Sequence, residues 1–155
     1  MNKILLIITG SIAASRCKEI IALLNINEVK ISCILTKEAK KYVKISDIKK
    51  LLKNRIFTDE DEKKNKMLHI NLSRDNDIIV VCPATANSIA KFANGYGDNL
   101  ASNTLLASNK KILFVPAMNS FMWHNKINQK NVRLLKDSGH EFIAVSYTHL
   151  RAHET

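Results

Sequence analysis

The sequence predicts an α/β fold: a doubly wound, Rossmann-like (flavodoxin-like) parallel sheet with helices on both faces. Two continuous apolar runs, residues 4–8 and 78–82, are typical of central parallel strands that are covered on both faces. Strand-like and helix-like segments also alternate along the chain, as βαβ units require. With 155 residues, the chain is long enough for one full core and too short for two.

The first βα unit is the clearest. Residues 3–9 are predicted to form a strand, and the turn Thr9-Gly10-Ser11 follows it. Apolar positions then recur at helical spacing from Ile12 to about Leu24. Residues 29–35 are predicted to form the second strand, and residues 37–43 are predicted to be helical.

The rest of the chain continues this alternation after a weakly patterned interval. Residues 44–68 are charged, and their apolar positions indicate one short helix. Residues 78–82 are predicted to form a strand that stops at Pro83, and residues 84–93 and 99–107 are predicted to be helices. A fourth strand at residues 111–115, a helix containing residues 132–136 and a fifth strand at residues 141–145 complete the prediction.

Charge and cysteine content exclude several classes of protein. The net charge is +10, and the lysines cluster mainly within residues 37–66. Acidic residues are interspersed there and no basic stripe with aromatic residues emerges, so we expect no nucleic-acid partner. The longest apolar runs are far below the ~20 residues of a membrane span. Cys17, Cys33 and Cys82 lie in apolar stretches without C-x-x-C spacing, which favours buried free thiols in a cytoplasmic protein. No metal site is predicted.

Loops at the carboxyl ends of the strands are the predicted ligand site, because ligands of open parallel sheets bind there. The Gly10-Ser11 turn opens a helix whose N–H groups suit a phosphate, and the absence of G-x-G-x-x-G favours a mononucleotide over a dinucleotide. Residues 83–88, Pro-Ala-Thr-Ala-Asn-Ser, offer hydroxyl and amide groups at a second helix start. An ordinary turn and an ordinary helix cap remain alternative interpretations of these two segments.

Residues 116–123, Pro-Ala-Met-Asn-Ser-Phe-Met-Trp, follow the fourth predicted strand. Core packing would account for Met118, Met122 and Trp123, but it leaves Asn119 unexplained among them. We therefore expect Asn119 to face a ligand.

Five motifs occur in order: residues 10–14 (Gly-Ser-Ile-Ala-Ala), 68–72 (Leu-His-Ile-Asn-Leu), 83–88, 97–100 (Gly-Asp-Asn-Leu) and 116–123. Together they resemble the motif set of phosphopantothenoylcysteine decarboxylases, members of the homo-oligomeric flavin-containing cysteine decarboxylases. The resemblance covers residues 3–145 and extends to the amino-terminal domain of the bifunctional coenzyme A biosynthesis protein. It implies FMN-dependent decarboxylation of 4'-phospho-N-pantothenoylcysteine to 4'-phosphopantetheine, in a homotrimer that holds FMN between subunits.

The resemblance also implies a role for individual residues. His69 matches the active-site histidine, and Asn119 matches the asparagine that holds the substrate carboxylate, with Met122 also at the substrate. The positions that match FMN contacts are Gly10, Ser11, Ile12, Thr36, Thr85, Ala86, Asn87, Ser88 and Ala117.

The resemblance ends near residue 145. Residues 1–145 are expected to form the flavin-binding decarboxylase domain, whereas residues 146–155 lose the family pattern and are expected to be a foreign tail of a truncated reading frame. The family's flap cysteine, which protonates the enethiol product, has no counterpart among the three cysteines. Two alternatives therefore stay open: a non-catalytic, flavin-binding regulatory protein, and a decarboxylase of peptides with a carboxy-terminal cysteine.

Overall fold

In the computed structural model, which describes residues 2–143, six strands form one parallel sheet. The strands are β1 (Lys3–Ile8), β2 (Lys30–Leu35), β3 (Ile56–Phe57), β4 (Ile78–Ala84), β5 (Ile112–Pro116) and β6 (Glu141–Phe142). They lie in the order β3-β2-β1-β4-β5-β6. This is the order of doubly wound, Rossmann-type sheets, so the predicted fold class is confirmed.

Helices connect the strands on both faces of the sheet. They are α1 (Cys17–Ile26), α2 (Ile45–Leu52), α3 (Asp59–Lys64), α4 (Leu68–Asp75), α5 (Ala86–Ala93), α6 (Leu100–Ala107), α7 (Ser120–His124) and α8 (Lys126–Asp137). Short 3₁₀ turns occur at Ile12–Arg16 and Ala39–Lys41. Among these helices of residues 2–143, none combines the length and the apolar character that a membrane crossing demands.

The continuous apolar run of β1 separates into two cores because successive strand residues point to opposite faces. Leu5 and Ile7 belong to the core formed with α4, α5, α6 and α8, whereas Leu6 and Ile8 belong to the core formed with α1 and α2. All four side chains are at most 2% exposed. Because both faces of β1 are buried, residues 4–8 are all apolar, and this continuous run is what predicted a central strand.

Two of the sequence predictions are wrong in detail. Residues 37–43 form only the 3₁₀ turn rather than a helix, because Thr36 Oγ1 accepts the Ala39 N–H at 3.3 Å and the backbone becomes extended again at Lys44. The third predicted strand does not stop at Pro83: β4 continues to Ala84, which pairs with Pro116 beyond an irregularity in the ladder. Pro83, which has no N–H to donate, is accommodated at that irregularity.

Other elements were not predicted at all. The interval 44–68 contains the predicted short helix, α2, but also β3 and α3, and neither α4 nor α7 was expected. Cys17 and Cys33 are buried free thiols, as predicted, whereas the free thiol of Cys82 is only partly buried. Of the last predicted strand, residues 144–145 lie outside the described residues, as does the tail 146–155.

Candidate functional site

A crevice opens at the carboxyl ends of β1 and β4, where the strand order reverses direction. It contains a cavity of about 310 Å³, which is within the range of small-molecule sites. The loops after β1, β2, β4 and β5 all contribute to its walls. The cavity brings together these predicted site residues: Gly10, Ser11, Thr36, Thr85, Ala86, Asn87, Ser88, Ala117 and Met122.

The Gly10 turn approaches the loop after β2 closely. A Cβ atom on Gly10 would overlap the Cβ of Glu38 and would lie 3.1 Å from its backbone carbonyl carbon. Because residue 10 has no side chain, the two loops can approach closely and the backbone itself forms this wall of the cavity. Ser11 follows and accepts the Ala13 N–H at 3.2 Å, which starts the 3₁₀ turn. The predicted FMN contact Ile12 does not line the cavity, and its side chain is 78% exposed.

A second wall is the amino-terminal end of α5. Thr85 Oγ1 accepts the Ser88 N–H at 3.1 Å, and Ser88 Oγ accepts the Thr85 N–H at 2.9 Å, which is a complete capping box. The N–H groups of Ala86 and Asn87, in the first turn, have no carbonyl partner within the helix. They leave positive partial charge at the cavity wall, which favours an anionic group.

Two threonines hold the crevice in shape. The Thr9 hydroxyl donates to the carbonyl oxygen of Pro83 and so joins the β1 and β4 loops. The hydroxyl of Thr36 donates to the Ile8 carbonyl at 3.1 Å while it accepts the Ala39 N–H. Both side chains line the cavity and are about 5% exposed. The Thr36 hydroxyl is therefore engaged within the protein, and its position rather than its polarity shapes the cavity.

Asn119 lies between the cavity-lining residues Met118 and Met122 but does not itself line the cavity. It is the N-cap of α7, and its Oδ1 accepts the Met122 N–H at 2.9 Å. Within the described part of the chain, its Nδ2 makes no hydrogen bond. The Asn119 Nδ2 group is therefore available to donate a hydrogen bond, as a carboxylate ligand requires.

His69 lies outside the cavity of the single chain, at the start of α4. Its Nδ1 is 3.3 Å from Oε2 of Glu62 on α3, and the two side chains are 27% and 22% exposed. Asn103 of α6 donates to the same carboxylate. The structure thus separates His69 from the predicted flavin contacts within one subunit.

Sequence reasoning missed part of the lining, contributed by α5 and the start of α6. Lys91 lines the cavity and forms a 3.0 Å ion pair with Asp98, and this hydrogen bond is the main reason that the pKa of Asp98 is lowered. Asn99 and Ser102 also line the cavity and cap α6 reciprocally. The motif at residues 97–100 marked this place in the sequence, but nothing in its residue types indicated that it would face the cavity.

The geometry suits a ligand with a phosphate and a flat, partly apolar body. The N-terminal end of α5, with its backbone N–H groups, and the apolar side chains of Ala117, Met118 and Met122 line the same cavity. In residues 2–143 we find no cluster of side chains suited to a metal ion. The Gly10 wall and the N–H donors at Ala86 and Asn87 are compatible with the phosphate end of FMN.

Residues 1–154 match the family described as Flavoprotein. The chain is 32% identical over 146 residues to the probable phosphopantothenoylcysteine decarboxylase of Streptococcus mutans, covering 92% of this chain and 82% of that protein. It is 34% identical over 138 residues to epidermin decarboxylase of Staphylococcus epidermidis, covering 88% and 74% of the two chains. By contrast, it spans only 37% of the length of the coenzyme A biosynthesis bifunctional protein CoaBC of Bacillus subtilis.

Solved structures agree with these relatives. The fold matches a cysteine-to-serine mutant of PPC decarboxylase complexed with pantothenoylaminoethenethiol, with a TM-score of 0.80 and 28% identity. The match covers 92% of this chain and 80% of the other.

Proposed function

The chain belongs to the flavoprotein family, and from this premise we propose that it binds FMN and decarboxylates 4'-phospho-N-pantothenoylcysteine to 4'-phosphopantetheine. The observation that carries the proposal is the cavity at the strand-order reversal, whose lining includes residues from all four strand-end loops that the sequence singled out. Such a reaction makes the protein a carbon–carbon lyase with a small-molecule substrate.

The proposed FMN contacts are divided between the two cavity walls. Gly10, Ser11 and the backbone of Ile12 would hold the phosphate end together with the start of α5, and Ala117 would contact the ring from the β5 loop. When bound, FMN supplies reversible two-electron chemistry that eases loss of the carboxyl group and leaves no net redox change. The protein supplies position and excludes water.

Asn119 is proposed to orient the substrate carboxylate. Because its Oδ1 is already occupied by the Met122 N–H, the side chain is fixed in one orientation and presents Nδ2 as the donor. A neutral donor holds the carboxylate without the strong ion pair that would oppose its loss as carbon dioxide. Met122, at the rim of the cavity, would cover the substrate from the same loop.

The proposal includes a homotrimer in the cytoplasm, with the FMN site shared between neighbouring subunits. An apolar surface adjoins the cavity: Phe121 and Ile127 are 87% and 71% exposed and lie beside Met122 in one groove. Exposed apolar surface of this kind marks interaction sites. A neighbouring subunit would also bring a His69 to a flavin site that lacks its own, and His69 would exchange a proton with the substrate.

The experiment combines a cofactor test with a substrate test. The purified chain is titrated with FMN, and the product formed from phosphopantothenoylcysteine, or from a peptide ending in cysteine, is identified by mass spectrometry. We expect flavin absorbance and loss of carbon dioxide from phosphopantothenoylcysteine. Turnover of the peptide alone would replace the proposed substrate, and flavin binding without turnover of either would favour the regulatory alternative.

A further inference from the structure

His69 has a carboxylate partner that no sequence motif indicated. Oε2 of Glu62 lies 3.3 Å from His69 Nδ1, and this nitrogen is buried although the His69 side chain as a whole is 27% exposed. At the present ring orientation Nδ1 has no hydrogen-bond partner within the described part of the chain, so the Glu62 carboxylate is the nearest group that can supply one. The exposed part of the ring therefore lies away from Nδ1. Asn103 Nδ2 approaches both oxygens of the same carboxylate, at 3.3 and 3.4 Å, and so fixes its orientation.

The chemistry of these groups decides where the imidazole proton resides. A neutral histidine carries hydrogen on one ring nitrogen only, and an ionised carboxylate can only accept hydrogen bonds. A bare Nδ1 would direct its lone pair at the Glu62 oxygen in a partly buried place, which is unfavourable. The Nδ1–H form can instead donate to Glu62 after a small rotation of the ring, and it leaves Nε2 as the basic nitrogen on the exposed side.

We propose that Glu62 is a positioning residue for His69: it selects the Nδ1–H tautomer and orients the ring so that Nε2 is the nitrogen that exchanges a proton. The catalytic part of this inference rests on the proposed function, whereas the tautomer does not. The link to the cavity runs through α6, because Asn103 directly follows the cavity-lining Ser102.

The test compares Glu62→Leu and Glu62→Ala, neither of which leaves an acceptor at this place, with a matched control, Glu60→Leu. Glu60 lies on the same helix, but its side chain is 65% exposed and its partner is Lys63. The tautomer of His69 is determined from the nitrogen chemical shifts of its ring in the ¹⁵N-labelled, FMN-loaded protein at mildly alkaline pH, with His69→Gln to assign the signals. Decarboxylation kinetics and FMN affinity are measured on the same proteins.

We expect the Nδ1–H tautomer in the unmodified protein and in Glu60→Leu. Both Glu62 variants should shift it toward the Nε2–H form, which free histidine favours in water. Their kcat should fall at least tenfold with little change in FMN affinity, because proton transfer by a positioned side chain contributes roughly 10²–10⁴-fold.

An unmodified protein with the Nε2–H tautomer, or Glu62 variants with an unchanged tautomer, would overturn the proposal. If Glu62→Ala does not fold, Glu62→Leu, which keeps more of the side-chain volume and has no acceptor, decides the question alone. A protein that shows the expected tautomer shift but decarboxylates neither substrate would refute the proposed function and leave the pairing of Glu62 with His69 intact.

Discussion

Replacing Gly10 by alanine tests the cavity most directly, because it adds one carbon atom at the closest approach of two site loops. The new Cβ would overlap Glu38 Cβ and stand 3.1 Å from the backbone carbon of the same residue. Backbone atoms cannot rotate away as the end of a flexible side chain can. One loop must therefore move, and both of these loops line the cavity.

The size of the effect follows from the cost of overpacking. Inserting a carbon atom into a tightly packed place costs typically about 1–3 kcal/mol. If the displaced loop must return to its original position when FMN binds, this cost appears in the binding free energy. Because 1.4 kcal/mol corresponds to a factor of ten, the FMN dissociation constant should rise by about 5- to 150-fold.

The assay is a titration of FMN fluorescence with the purified protein, paired with thermal unfolding of the apoprotein. Gly139→Ala is the control: Gly139 follows α8 and has a φ of +96°, and no atom lies within 4 Å of the position that an alanine Cβ would take. Left-handed strain should lower its stability by about 1–2 kcal/mol without changing FMN affinity. Unchanged FMN affinity in Gly10→Ala would refute the placement of the ligand against this turn.

Three further predictions follow from the described contacts. Thr85→Val removes the side chain that caps α5 and should lower the free energy of unfolding by about 1 kcal/mol; because Thr85 lines the cavity, it should also weaken FMN binding in the fluorescence titration. Thr58→Val removes a hydroxyl that donates to Asp61 at the start of α3, outside the cavity, and should leave FMN binding unchanged. Asn119→Asp keeps an oxygen that can cap α7 but adds a negative charge beside the substrate carboxylate. The value of kcat/KM should therefore fall by roughly fivefold to several-hundredfold, whereas the flavin absorbance should not change. An unchanged kcat/KM would exclude the proposed contact. Burial lowers the pKa of His140, so the folded protein should lose stability as pH falls below about 6.5, where the unfolded chain gains a proton. His140→Asn should flatten this loss in denaturant titrations near pH 7.5 and 5, and an equally steep loss in the variant would assign it to other groups.

The sheet could be predicted from the sequence because its central strands must be apolar at nearly every position. Burial on both faces forces the apolar runs of β1 and β4, and such runs are readable without any tertiary information. The edge strand β3 has only two residues, and α3 has no buried residue at all. The strand β3 is too short to show a pattern, and α3 has no apolar stripe by which a helix is normally predicted. The local signals of α3 are its capping pair, Thr58 and Asp61, and the acidic residues of its first turn, and these were not used.

The residues of the candidate site also divide into those that the sequence could predict and those that it could not. Gly10, Thr85 and Ala117 could be anticipated because they follow strands, and parallel strands end at one edge of a sheet. The pairing of Glu62 with His69 joins two helices, and the residue types of a charged, weakly patterned segment did not single out one of its acidic side chains. Contacts between helices depend on how the helices pack, and the sequence does not display that packing.

The polar side chains of the cavity largely serve the protein itself, and this determines what is left for a ligand. Ser11 and Thr85 each accept a backbone N–H at a helix start, and Thr36 both donates and accepts within its loop. The binding groups that remain are therefore mainly backbone N–H groups held at fixed positions, beside the carboxamide of Asn87, which also lines the cavity. Ile12 is an example: its side chain is apolar and exposed, but its N–H group lies in the turn that Ser11 caps. A phosphate bound in this way should tolerate side-chain changes at residue 12 but not changes that displace the backbone, which is why Gly10 is the more informative position to mutate.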